Sequence, residues 1–68
     1  MKKGTVKWFN NEKGYGFLTL ESSGEDVFIH YSEINMDGYR TLKTGQKVCF
    51  EMKGSENGLK AKDLNILI

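Results

Sequence analysis

Tyr15-Gly16-Phe17-Leu18-Thr19-Leu20 alternates in character, residue by residue. Successive side chains of a β-strand point to opposite faces. Tyr15, Phe17 and Thr19 therefore share one face, and Gly16, Leu18 and Leu20 the other. Asp26-Val27-Phe28-Ile29-His30 sorts in the same way, with Val27 and Ile29 on one side and Phe28 and His30 on the other. Either the aliphatic side or the aromatic side fills the interior. The aromatic parity also carries Thr19 and His30, with Lys13 just ahead of the strand. Lysine and histidine are poor core residues in a small domain. The reading is that Leu18, Leu20, Val27 and Ile29 lie inside and that Tyr15, Phe17, Phe28 and His30 face solvent.

Outward from this pair, eight glycines and no proline punctuate short apolar runs. That pattern favours strands joined by tight turns. Five strands are expected, at residues 3–10, 15–21, 26–30, 47–53 and about 59–67. Asn11-Glu12-Lys13-Gly14, Ser22-Ser23-Gly24 and Gly54-Ser55-Glu56-Asn57-Gly58 make the turns. A long connection covers 31–46, with one helical turn at 32–34. In the fourth strand Val48, Phe50 and Met52 alternate with Cys49 and Glu51, so Phe50 joins the core; Val6, Ile34 and Leu64 complete it. No apolar stripe of helical period is present. The fold class expected is all-β, a closed small barrel. An OB-fold and an SH3-like barrel both fit that description.

The chain has 68 residues, enough for one domain spanning 1–68. Cys49 is the sole cysteine and His30 the sole histidine, so neither a disulfide nor zinc-ligand spacing is available. Metal and cofactor are both expected to be absent. Met1-Lys2-Lys3 is followed by no apolar h-region, and no run is long enough to span a bilayer. The expectation is a soluble cytoplasmic protein, monomeric, with no membrane partner. Net charge is +1, so the charge pattern matters more than the total. Lysines dominate the first thirteen residues, acidic groups cluster from Glu21 to Asp37, and basic residues return from Arg40 onward.

Leaving several rings in water forfeits burial worth about 1.5–3 kcal/mol each. A small domain has little stability to spare, so an apolar patch fringed by lysine points to a binding surface. Flat rings stack on nucleobases, and a double helix hides its base faces. Single-stranded nucleic acid is therefore the expected ligand.

Lys13-Gly14-Tyr15-Gly16-Phe17-Leu18 resembles the RNP1 motif, and Val27-Phe28-Ile29-His30-Tyr31 an RNP2 element. RNP1 precedes RNP2 here with no helix between, and Lys7-Trp8-Phe9-Asn10 stands upstream. In that order the three blocks resemble the bacterial cold-shock proteins, from residue 4 to about 64. The resemblance implies a five-stranded antiparallel OB-fold barrel that binds single-stranded RNA and single-stranded DNA with low sequence selectivity. It further implies an RNA chaperone that keeps transcripts unstructured and modulates transcription and translation in a cold-shock or stress response. Carried over residue by residue, the stacking platform falls on Trp8, Phe17, Phe28, His30, Tyr31 and Tyr39, with Tyr15 beside them. Lys7, Lys13 and Asp26 match polar contact positions. Asn10 belongs to the same motif, and Phe9 is either a contact or structural packing. Trp8 shares parity with the core residue Val6, so its exposure requires a twist or bulge at the strand end.

Tyrosine replaces the family's common phenylalanine at Tyr15, Tyr31 and Tyr39, which keeps the stacking and adds hydroxyls. In the last hairpin Gly58 is followed by Leu59 rather than proline, and Asn57 stands where some relatives carry a basic residue. Lys60 and Lys62 are placed to compensate. No catalytic residues and no small-molecule substrate are expected, because no Ser/His/Asp set can be assembled around His30. A peptide-binding barrel with an aromatic groove is the main alternative. If about three phosphates are neutralised, the log–log salt slope of nucleic-acid binding is about −2.

Overall fold

The computed structural model describes residues 1–55 and 58–67, Ser55 by its backbone alone. Five strands form: β1 (Lys2–Asn10), β2 (Tyr15–Leu20), β3 (Asp26–His30), β4 (Lys47–Ser55) and β5 (Gly58–Ile66). One 3-10 turn, Tyr31–Glu33, follows β3, a residue earlier than the helical turn read from sequence. Glu56 and Asn57, in the middle of the last expected turn, lie outside the described residues.

The strands close on themselves in the order β1-β2-β3-β5-β4, with β1 and β4 also paired. This is the five-stranded OB-fold barrel. The β1–β2, β1–β4, β2–β3 and β4–β5 junctions are antiparallel. The barrel is closed by a parallel junction instead, where β5 meets β3 at Phe28 and Lys60. A second parallel bridge, Ile34 to Leu64, ties the chain after the 3-10 turn to β5.

The alternation read from β2 and β3 holds. Leu18, Leu20, Val27 and Ile29 are buried, along with Val6, Ile34, Val48, Phe50 and Leu64. Leu42 and Ala61 are buried too, and the sequence reading did not include them. Leu42 lies in the long connection, which is laced to β1 where the Val6 amide donates to the Gln46 carbonyl (2.9 Å) and Gly45 donates back to Val6 (2.8 Å). Met52 is partly buried and packs against the core rather than within it, alongside Phe9, Met36, Leu59 and Ile66.

Asp63 is a local exception in β5. Its φ of 50° is left-handed, and it lies where the pairing with β4 slips between Cys49 and Glu51. Left-handed backbone costs an L-residue about 1–2 kcal/mol, and glycine's extra unfolded freedom costs about 0.5–1. Asp63→Gly is therefore expected to stabilise the barrel by up to about 1.5 kcal/mol, the difference between these costs. Thermal unfolding should show a higher midpoint, by up to roughly 6–12 °C. An unchanged or lower midpoint would mean that the aspartate side chain already offsets the strain.

Candidate nucleic-acid interface

Three strands carry the rings. Phe17 on β2 stands opposite Phe28 on β3, and Tyr15 opposite His30. The register places all four on the outer face, since their strand neighbours Gly16, Leu18, Val27 and Ile29 are buried. Trp8 joins them from β1. The β1–β2 pairing shifts between Val6 and Trp8, so Val6 faces Leu18 while Trp8 faces Phe17. Lys7 is the extra residue of this bulge. A bulge adds one residue to one strand and flips the parity beyond it. That is why Val6 is buried while Trp8 remains 39% exposed.

The rings touch one another in a continuous array. Trp8 lies 5.5 Å from Phe17 and 5.9 Å from Tyr15, centroid to centroid. Phe28 lies 5.7 Å from Phe17, edge to face, and 5.8 Å from Tyr15, stacked. Such pairs contribute about 0.5–1.5 kcal/mol each beyond simple burial. Tyr15, Phe17, Phe28 and His30 are consequently half-buried rather than fully exposed, because each ring shields its neighbours.

His30 is oriented from behind. Its Nδ1 lies 2.8 Å from the Ser32 Oγ and accepts the Ser32 backbone N–H at 3.3 Å, so the imidazole also caps the 3-10 turn. With Nδ1 engaged by Ser32, Nε2 is the ring nitrogen left for a ligand. Tyr31 packs at 4.5 Å from His30 and is 47% exposed.

A second group of rings lies beyond the β1–β2 turn. Tyr31 and Tyr39 line one cleft of about 290 Å³ together with Lys13 and Arg40. Tyr39 is 67% exposed, and its hydroxyl donates to the Asn11 carbonyl at 3.4 Å. The Thr41 hydroxyl also donates to the Asn11 side chain, which holds the long connection against the turn. Arg40 escaped the sequence reading, because nothing in a 16-residue connection sets which way a side chain faces. Its position beside Tyr39 was the sole signal.

Other candidates have local structural duties. The Asn10 carboxamide oxygen accepts the Lys13 N–H at 2.9 Å and the Asn10 carbonyl accepts Gly14 N–H at 2.8 Å, which closes the turn. Gly14 has φ +76°, and a Cβ there would lie 2.6 Å from the Tyr31 ring. Phe9 packs against the core, in line with the packing alternative. Lys7 and Asp26 form the one salt bridge among the described residues, at 3.2 Å. Both are about half exposed, so the pair contributes about 0–1 kcal/mol and can open to a ligand at little cost. Asp26 and Lys60 border a cleft of about 320 Å³ with Phe17, Phe28 and Leu59. Leu59, like Arg40, was not among the sequence candidates. Among the described residues no group of His, Cys, Asp and Glu could hold a metal ion, and no helix is long and apolar enough to cross a membrane.

Comparison with known proteins agrees with this geometry. The family model described as the 'Cold-shock' DNA-binding domain matches residues 2–67. Cold shock-like protein CspA of Stigmatella aurantiaca is 58% identical over 64 residues, covering 94% of each chain. Cold shock-like protein CspD of Escherichia coli K12 is 62% identical over 58 residues, covering 85% of this chain and 78% of that protein. Among solved structures, drosophila Unr CSD456 superposes with a TM-score of 0.78 at 25% identity and 98% coverage of this chain. The match spans 26% of that longer chain. Matched along nearly its whole length, this chain belongs to the cold-shock domain family, whose members bind single-stranded nucleic acid and are not enzymes.

Proposed function

We propose that this protein binds single-stranded RNA and single-stranded DNA on the ring array of β1, β2 and β3, and acts as a passive RNA chaperone. The observation that carries the reading is the unbroken contact of Trp8, Tyr15, Phe17 and Phe28 across three strands. Each stacked base contributes about 1–3 kcal/mol, and every base has a π-face, so selectivity among sequences is low. The π-face of a base is common to RNA and DNA, so both strands bind. Lys7, Lys13, Asp26 and the Nε2 of His30 supply polar contacts at the rim, and Tyr31 and Tyr39 continue the stacking surface. Asn10 and Phe9 act through the shape of the turn and of β1.

Binding holds the unpaired state and needs no nucleotide hydrolysis. A ligand that binds only the melted form shifts a hairpin by RT ln(1 + [L]/Kd), about 2.7 kcal/mol at a hundredfold excess over Kd. Transcripts kept open in this way are available to the ribosome and cannot form terminator hairpins. Transcription and translation respond accordingly, with the largest effect under cold shock, when RNA structure is most stable. The protein works as a cytoplasmic monomer.

Titration with short oligonucleotides, followed through Trp8 fluorescence, tests the reading. Single strands of pyrimidine or mixed sequence should quench the emission, and a duplex of the same sequence should not. Equal response to the duplex, or response only to a proline-rich peptide, would overturn it.

A further inference from the structure

Beyond Phe28 the outer surface changes from aromatic to basic. Lys60 on β5 pairs with Phe28 across the parallel junction, and Lys53 on β4 stands opposite Lys60. Lys60 and Lys62 flank the buried Ala61, so both point outward on the same face. The three lysines share a cleft of about 380 Å³ with Phe28 and His30. Two carboxylates are near: Glu33 lines the cleft, and Glu51 is the register partner of Lys62. Neither forms an ion pair with a lysine, and among the described residues none of the three lysines is salt-bridged. Like charges directly opposite on neighbouring strands are unfavourable. Lys53 and Lys60 therefore oppose folding slightly, and a bound anion would relieve them.

We propose that Lys53, Lys60 and Lys62 form a phosphate track that extends the aromatic face, so that a strand stacked on Phe28 carries its backbone across β5 onto β4. The inference rests on the single-strand reading above. Charge complementarity and continuity with the ring array select a nucleic-acid backbone as the occupant. The step from Phe28 to Lys53 crosses two strand spacings, roughly 10 Å at about 4.8 Å each. A short oligonucleotide covers the rings and Lys60 beside Phe28, and a longer one reaches Lys53 and Lys62.

The experiment compares wild type with the combined Lys53→Gln, Lys60→Gln, Lys62→Gln variant, using oligothymidylates of about 6 and about 12 nucleotides, within the site sizes known for OB-folds. Trp8 fluorescence is read over a salt series. With the longer strand, loss of three phosphate contacts should flatten the log–log slope by about 2. Between about 50 and 200 mM salt, wild type should then lose about 16-fold more affinity than the variant. With the shorter strand, which reaches Lys60 beside Phe28 and neither other lysine, the slope should flatten by only about 0.7. The matching Lys→Arg variant should keep the wild-type slope, and the Gln variant should unfold at the same or a higher temperature. Equal slopes on the longer strand would overturn the track. An equal change with both strands would place the lysines inside the ring footprint and would overturn the extension. If wild type binds neither strand, the single-strand reading itself fails, and the track with it.

Discussion

Phe17→Ala and Phe28→Ala each lower single-strand affinity by about 5- to 140-fold, the equivalent of one lost stack at about 1–3 kcal/mol, and leave the barrel folded. The expectation follows from where the two rings sit. They face each other across β2 and β3, 5.7 Å apart, on the side of the sheet opposite the core. Removing one costs the protein its two ring contacts, about 1–3 kcal/mol together, and opens no cavity among Leu18, Val27 and Ile29. The unfolding midpoint should fall by roughly 4–24 °C. Because the rings touch, the double variant should lose less affinity than the sum of the two single losses. Titration through Trp8 and thermal unfolding on the same samples separate the two effects. If both single variants unfold, the rings hold the core and the face is not a binding surface.

The second large effect concerns stability and a residue with no side chain. A Cβ added at Gly16 would lie 2.2 Å from the Trp8 carbonyl oxygen and 2.7 Å from the Phe9 Cα. Both are backbone atoms of the strand directly opposite, so no rotamer change can make room. Overpacking a core typically costs about 1–3 kcal/mol, and a backbone clash lies at or beyond the upper end. A chain of this length has roughly 3–10 kcal/mol in total. Gly16→Ala is thus expected to cost about 3 kcal/mol or more, roughly a third or more of that total, and to lower the denaturant midpoint in proportion. Gly54→Ala is the control, since a Cβ there meets nothing within 4 Å. It should leave the denaturant midpoint nearly unchanged. A Gly16→Ala midpoint equal to that of Gly54→Ala would show that β1 and β2 have room to separate. A lesser outcome is also informative: if Gly16→Ala folds but binds poorly, the displaced β1 has carried Trp8 away from Phe17.

The contrast between these residues shows what could be read in advance. Phe17 and Phe28 were legible because one face of their strands is buried. In that situation a period of two pins every side chain to a side, and a slip by one residue would invert the whole pattern. Gly16 was legible on the face of Leu18 and Leu20, though its partner on β1 was not. Trp8 was not legible from alternation. Its exposure depends on the bulge between Val6 and Trp8, which is a property of the pairing with β2. The family resemblance placed it outside, and the bulge supplies the reason. Leu42 and Tyr39 sit in a connection without periodicity, so their opposite fates, one buried and one 67% exposed, follow from the hydrogen bonds that tie that segment to β1 and to the β1–β2 turn. Ala61 is too small to mark a core face by itself.

The stretch from Tyr15 to Leu20 by itself determined a strand and its two faces, because local stereochemistry makes neighbours diverge, and Lys13 and His30 on the aromatic parity set the sign of each face, because burial favours aliphatic over lysine and histidine. Tertiary structure decided which rings meet. Trp8 reaches Phe17 through a bulge, Tyr31 and Tyr39 come to line one cleft, and Lys60 comes to lie beside Phe28 when β5 closes the barrel in parallel with β3. Those contacts join residues far apart in the chain. Strand register and closure set them, and neither is encoded in the period of any one strand.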